Sequence, residues 1–178
     1  MPLDIINVVD LEATCWNKAG KQGLSEIIEI GISEFEISTG NILSTESIYV
    51  RPEHSKVSEF CYNLTGIDQR TLDDSGIEYW RALLKLEGRY QSRSRIWASY
   101  GEYDVRMVDK QCQREYLKYP FGAKHINVKT LFALKYKLQD EIGMASALKM
   151  LNIPLEGRHH SGGDDSKNIA KILREILK

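Results

Sequence analysis

Ile5-Ile6-Asn7-Val8-Val9-Asp10-Leu11-Glu12 opens as a β-branched apolar run and stops at an acid. Runs of this kind form strands buried on both faces of a sheet, so the pattern predicts a strand over 5–9. Period-two alternation then puts Asp10 and Glu12 on one face, with Leu11 on the other. The spacing alone is weak. With 25 acids in 178 positions, composition gives about 3.5 such pairs, and the chain has three: Asp10/Glu12, Glu34/Glu36 and Glu102/Asp104. Glu34/Glu36 reads as a solvated strand face. Asp10/Glu12 differs because a buried-type strand leads into it, and sites collect where such strands end in an α/β sheet.

Outward from that run, residues 17–23 form a polar turn with glycine, and strands follow over 25–37 and 42–50. Three strands so close in sequence make a meander, the second antiparallel to the first. Short helical pieces over 57–64 and 67–72 flank Thr65-Gly66. Ser75 is placed to cap a helix that runs to Arg89, with Ile77, Trp80, Leu83, Leu84 and Leu86 on its apolar side. A fourth strand spans 96–100 and a fifth 126–128. Helical spacing recurs over 103–117 (Val105, Val108, Cys112, Tyr116), 129–138, 143–151 and 164–177. Ile169, Ile172, Leu173 and Ile176 line the last helix at i, i+3, i+4, i+7. The fold class is therefore α/β, with helices flanking a mixed five-stranded sheet.

A chain of 178 residues suits a single domain, residues 1–178, and such a domain buries about 70% of its unfolded surface without needing a disulfide. Its 24 basic and 25 acidic residues argue against a polybasic nucleic-acid coat and predict few phosphate contacts. Cys15, Cys61 and Cys112 lie far apart with no C-x-x-C pair, which speaks against a zinc site and for a reducing, cytoplasmic location. The Met1-Pro2-Leu3-Asp4 start has no signal-peptide character. No apolar run approaches the ~20 residues of a membrane span.

The acids gain meaning together. Asp10, Glu12, Asp104 and an Asp at 164 or 165 each stand at the mouth of a regular element. His159-His160-Ser161-Gly162-Gly163-Asp164-Asp165 leads into the last helix. Taken alone, that segment reads as a helix cap with surface histidines. Four clustered carboxylates would raise one another's pKa values unless cations compensate them. Two divalent ions would do so, and all-oxygen ligands suit Mg²⁺ or Mn²⁺. Both His159/Asp164 and His160/Asp165 keep a five-residue separation.

At these residues the sequence resembles the DEDDh group of 3′–5′ exonucleases on the ribonuclease-H-like fold, nearest the short three-prime histone-mRNA exonuclease-like proteins. The blocks are Val9–Trp16, Glu26-Ile27-Ile28-Glu29-Ile30-Gly31, Leu64-Thr65-Gly66-Ile67, Ser99-Tyr100-Gly101-Glu102-Tyr103-Asp104 and His160–Ala170. They occur in family order and cover residues 9–170. The resemblance implies Asp10, Glu12, Asp104 and Asp165 as metal ligands, Glu12 also as a catalytic group, and His160 as general base. It favours the His160/Asp165 frame, because Ser166, Asn168, Ile169 and Ala170 then fall on the family pattern. It implies two-metal hydrolysis, in which His160 deprotonates a water that attacks the last phosphodiester in line and a 5′-mononucleotide leaves.

Ala13, Trp16, Leu64 and Thr65 are the expected contacts to the substrate, Trp16 by stacking a terminal base. The plainer readings are a loop aromatic closing the core edge for Trp16 and a helix end stopped at Gly66 for Leu64 and Thr65. Arg89, Arg93, Arg95, Lys110, Arg114 and Lys118 are further candidates to receive phosphates, a solvated face being the plainer reading for most. The expected substrate is RNA or single-stranded DNA, single-stranded or 3′-overhanging. The chain is read as a bare catalytic domain with targeting left to a protein partner. Two other readings stand beside this one: a ribonuclease-H-like endonuclease, and a non-catalytic module binding nucleic acid or protein on the same fold.

Overall fold

A computed structural model describes residues 4–17 and 23–178. Most of the 17–23 turn, and the first three residues of the chain start, lie outside the described residues. The first strand, β1 (Ile5–Ala13), runs beyond the expected stop at Asp10. Leu11 and Ala13 are buried on one face while Asp10 and Glu12 continue the other, so the alternation survives the change from apolar to acidic.

β2 (Ile27–Glu36) pairs antiparallel with β1, and β3 (Ile42–Tyr49) pairs antiparallel with β2. β4 (Ile96–Ser99) lies parallel to β1, and β5 (His125–Asn127) parallel to β4. The order is β3-β2-β1-β4-β5, the expected mixed five-stranded sheet. The helices are α1 (Glu59–Thr65), α2 (Gln69–Ser75), α3 (Tyr79–Tyr90), α4 (Tyr103–Arg114), α5 (Val128–Lys135), α6 (Met144–Met150) and α7 (Gly162–Leu177).

Each face of the sheet has its own core. Val9 and Leu11 of β1 meet Leu83 and Leu86 of α3 and Met107 and Val108 of α4. Ile6 and Val8 turn the other way, onto Phe132 of α5, Leu148 of α6 and Ile169, Ile172 and Leu173 of α7. Burying one such side chain fully contributes about 1.5–3 kcal/mol. Asp10 and Glu12 share the α7 side with Ile6 and Val8, so the acids extend an apolar face rather than a solvated one.

Four expectations need correction. Ser75 caps nothing: it is the last residue of α2, and α3 begins after Glu78. Gly76–Glu78 is drawn out of helix because Ile77 donates its N–H to Tyr49 O and accepts from Arg51 N, at 3.0 and 2.9 Å. The buried side of α3 is consequently Tyr79, Ala82, Leu83, Leu86 and Tyr90, and Trp80 and Leu84 face solvent. α4 ends at Arg114, and Tyr116 stands 97% exposed. Finally, Glu34 is not solvated. It is buried, takes hydrogen bonds from Ser44 and Arg95, and lies 3.4 Å from Arg89.

The crossing of α7 over the hairpin fixes the site. A Cβ on Gly31 of β2 would lie 1.8 Å from the backbone of Gly162. Only two glycines back to back let the helix start this close to the strands. α7 therefore begins at Gly162, two residues before the sequence suggests, and Asp164 and Asp165 fall in its first turn.

Candidate active site

A cavity of about 410 Å³ opens where β1, α4 and α7 meet, lined by Asp10, Glu12, Asp104, Asp165, His159 and His160. Asp104 comes from the first turn of α4, and its Oδ1 accepts from Leu11 N at 3.0 Å. That bond pins α4 to β1 between the two strand acids. Carboxylate oxygens of Asp10, Glu12 and Asp165 lie within 4.8 Å of one another. Burial, then repulsion from Asp104, Glu12, Asp165 and Glu29, holds Asp10 well above the carboxylate range. Burial and Glu29 push Glu12 up to about 8. Burial lifts Asp104 to about 6, against hydrogen bonds from the Leu11 and Asp104 backbone and from Ser99.

Sequence reasoning assigned no role to Glu29. It pairs with Glu12 across the β1–β2 register, is buried, and accepts from Gly162 N at 2.9 Å and Gly163 N at 3.2 Å. A carboxylate on the free amides of a helix N-terminus is stabilising. Glu29 thus docks α7 while adding a fifth negative charge beside Glu12. The available signal was an acid inside the apolar Ile27–Ile32 half of β2, within a block that already matched the family.

The doublets resolve unequally. Asp165 is buried in the cavity, and its Oδ2 accepts from His160 N at 2.9 Å. Asp164 turns outward, its Oδ2 accepting from Arg158 N at 2.8 Å. Both histidines line the cavity, His159 exposed and His160 half-buried, so the surface reading describes their exposure but not their place beside the acids. Their rings stack at 4.1 Å. His159 Nδ1 lies 2.9 Å from Asp165 Oδ2, and since a carboxylate only accepts, the ring nitrogen donates. His160 Nδ1 lies 3.9 Å from Glu12 Oε1. Burial and His159 lower its pKa, favouring neutral imidazole.

Of the expected substrate contacts, Ala13 and Leu64 line the cavity. Thr65 does not. It is buried at the end of α1, where its hydroxyl donates to Cys61 O and accepts from Ile67 N, so it serves the helix end. Trp16 also misses the acidic cavity and lines a neighbouring one of about 340 Å³ with Phe60 and Asn63. Ser58 explains the displacement: its hydroxyl bonds to Cys15 O at 2.6 Å and draws the chain after β1 over α1. Tyr103 and Met144 join the lining without having been anticipated. Among the basic candidates, Arg89 and Arg95 pair with Glu34, Arg93 with Glu87 and Arg114 with Glu115.

The residues present fit a cation site. Asp165 Oδ1 is buried with no hydrogen-bond partner among the described residues, an expensive state for a carboxylate oxygen. Oxygen donors dominate the cluster, as Mg²⁺ and Mn²⁺ require.

Residues 8–173 match the RNase_T exonuclease family. Similar proteins include 3′-5′ exoribonuclease 1 of Rattus norvegicus, 34% identical over 98% of this chain and 53% of its own length. The chain spans about half the length of that relative. Among solved structures, the nuclease domain of 3′hExo, a DEDDh family member bound to rAMP, superposes with a TM-score of 0.88 at 32% identity, covering 98% of this chain and 92% of that one. A structure of 3′-exonuclease recognising the 3′ end of a histone mRNA stem-loop gives 0.87 at 31%, covering 98% and 64%. The fold is thus that of the ribonuclease-H-like DEDDh nucleases, whose chemistry depends on divalent metal ions. With the acids, the histidine loop and the sheet order all in agreement, the chain belongs to the RNase_T family of exonucleases.

Proposed function

We propose that this chain is a 3′–5′ exonuclease that releases 5′-mononucleotides from single-stranded or 3′-overhanging nucleic acid with Mg²⁺ or Mn²⁺. The observation that carries the reading is the buried, unpartnered Asp165 Oδ1 within the Asp10/Glu12/Asp165 cluster. Relatives named exoribonucleases, and structures holding rAMP and an mRNA stem-loop, support RNA as the substrate. Asp10, Glu12, Asp104 and Asp165 would hold the cations. Bound there, two cations supply charge neutralisation at the scissile phosphate and a water made acidic enough to ionise near neutral pH.

The remaining work falls to the chain. His160, neutral and at the cavity rim, takes the proton of the attacking water. His159 donates to Asp165 and fixes the orientation of that carboxylate. Leu64 and Ala13 form an apolar wall for the terminal nucleotide. Residues 1–178 act as one catalytic domain.

The test is digestion of matched linear and circular single-stranded RNA with Mg²⁺. The expected result is stepwise loss of 3′ residues as 5′-mononucleotides, with circles intact and EDTA abolishing the reaction. Cleavage of circles would replace this reading with the endonuclease one. Tight binding without cleavage would replace it with the binding module.

A further inference from the structure

Among the described residues, Arg89, Arg93, Arg95 and Arg114 each pair with a carboxylate, and Arg158 beside the site does not. Arg158 precedes the histidine doublet, in the loop that enters α7. Its backbone N–H donates to Asp164. Its side chain spans to the opposite rim of the acidic cavity, where Nη2 donates to Asn63 O at 3.3 Å and Leu64 O at 3.4 Å, the last carbonyls of α1. Gly66 makes room for it: with φ +74°, a Cβ there would lie 1.6 Å from Arg158 Nη1. Among the described residues, no carboxylate lies within ion-pair distance of the guanidinium, unlike Arg89, Arg93, Arg95 and Arg114. A cation held by carbonyls alone keeps its full charge for a ligand, and a guanidinium suits phosphate oxygens.

We propose that Arg158 is a phosphate ligand of the incoming strand, and that it grips the phosphodiester immediately 5′ to the scissile one. The four acids line the cavity, and cations held by them would receive the scissile group. Arg158 bridges the Leu64 carbonyl and the histidine loop beside the cavity, so a strand leaving on that side would present its next phosphate to the guanidinium. The effect Arg158 exerts on its surroundings agrees, since its charge opposes the upward push on Glu12. This inference rests on the cavity being the seat of a 3′ end.

The experiment measures kcat/KM for a ten-nucleotide single-stranded RNA with Mg²⁺ across a series of KCl concentrations. Arg158→Gln should raise KM about tenfold and make the log–log salt dependence shallower by about 0.7, one phosphate contact for a single strand. Arg158→Lys should keep the wild-type slope. Arg81→Gln, on the opposite face of the sheet and paired with Glu78, should change neither quantity. A second substrate carries a neutral methylphosphonate at the linkage 5′ to the scissile one, and on it wild type and Arg158→Gln should be equal. If Arg158→Gln weakens turnover with an unchanged slope, or if its penalty persists on the methylphosphonate substrate, Arg158 is a loop clasp and the proposal falls. If the wild type removes no 3′ nucleotides from the unmodified RNA, the cavity reading itself is overturned.

Discussion

Glu34 and Glu12 are both buried glutamates on one strand pair, yet they sit in opposite electrostatic worlds. Glu34 faces α3. Burial pushes its carboxyl up, but hydrogen bonds from Ser44 and Arg95 and the charges of Arg89 and Arg95 outweigh that and hold it below its ordinary value. Glu12 faces α7, where burial and the neighbouring Glu29, Asp165 and Asp104 all push it upward, to about 8. The first acid is completed by the protein and is part of its structure. The second is left incomplete by the protein, which is the signature of a place built for something else.

Breaking the incomplete side should abolish chemistry without unfolding the chain. Asp165→Asn removes the negative charge of the carboxylate that carries the unpartnered Oδ1 and should lower Mg²⁺-dependent turnover by at least about a thousandfold, with the thermal melt of the metal-free protein unchanged or higher. Steady-state turnover and a melting curve on one preparation check both halves. Next in size, His160→Ala should lose about 10²–10⁴-fold in rate. His159→Ala should lose nearer tenfold, because it orients Asp165. The reverse order would make His159 the base.

Gly31→Ala acts between the two sides. Its methyl group would enter the backbone of Gly162, so α7 must move, and the destabilisation should be about 3 kcal/mol or more, read by urea denaturation. A destabilisation below 1 kcal/mol would show that the close crossing is not what sets α7.

The smallest effect is the most discriminating. Glu34 is depressed, so its stabilisation is complete above its unfolded pKa and is lost as pH falls through the lower folded one. Glu34→Gln should therefore destabilise by about 1–3 kcal/mol near pH 7 and converge on wild type in acid. Glu12 is raised, so in the metal-free protein its contribution is favourable in acid and is lost as pH rises through about 8. Glu12→Gln should accordingly stabilise the metal-free protein at pH 9 and gain little at pH 5. Melting curves of the two variants against pH should diverge in opposite directions.

β1 and β2 were legible because they carry long β-branched runs, and the α7 stripe because its spacing is regular. Asp10 and Glu12 were legible as acids at the end of an apolar run and Asp104 as an acid at the mouth of a helix, whereas Asp165 was told from Asp164 only through the family resemblance. What escaped depended on contacts between segments far apart in the chain. Ser75 looked like a cap until Ile77 paired with β3. Glu34 looked solvated until Arg95, 61 residues away, reached it. Glu29 gave no local hint that the amides of Gly162 and Gly163 would use it as their cap. Trp16 sat beside the acids in sequence, but one hydroxyl of Ser58 redirected the chain and put it in a different cavity.

Cation binding at the incomplete acids is the property on which the chemistry depends. Isothermal titration of Mn²⁺ into the metal-free wild type, Glu34→Gln and Asp165→Asn measures it without any substrate. The predicted result is two ions per wild-type chain, the same for Glu34→Gln, and fewer or much weaker sites for Asp165→Asn. An equal heat of binding in wild type and Asp165→Asn, or none in either, would contradict the claim that these carboxylates form a metal centre.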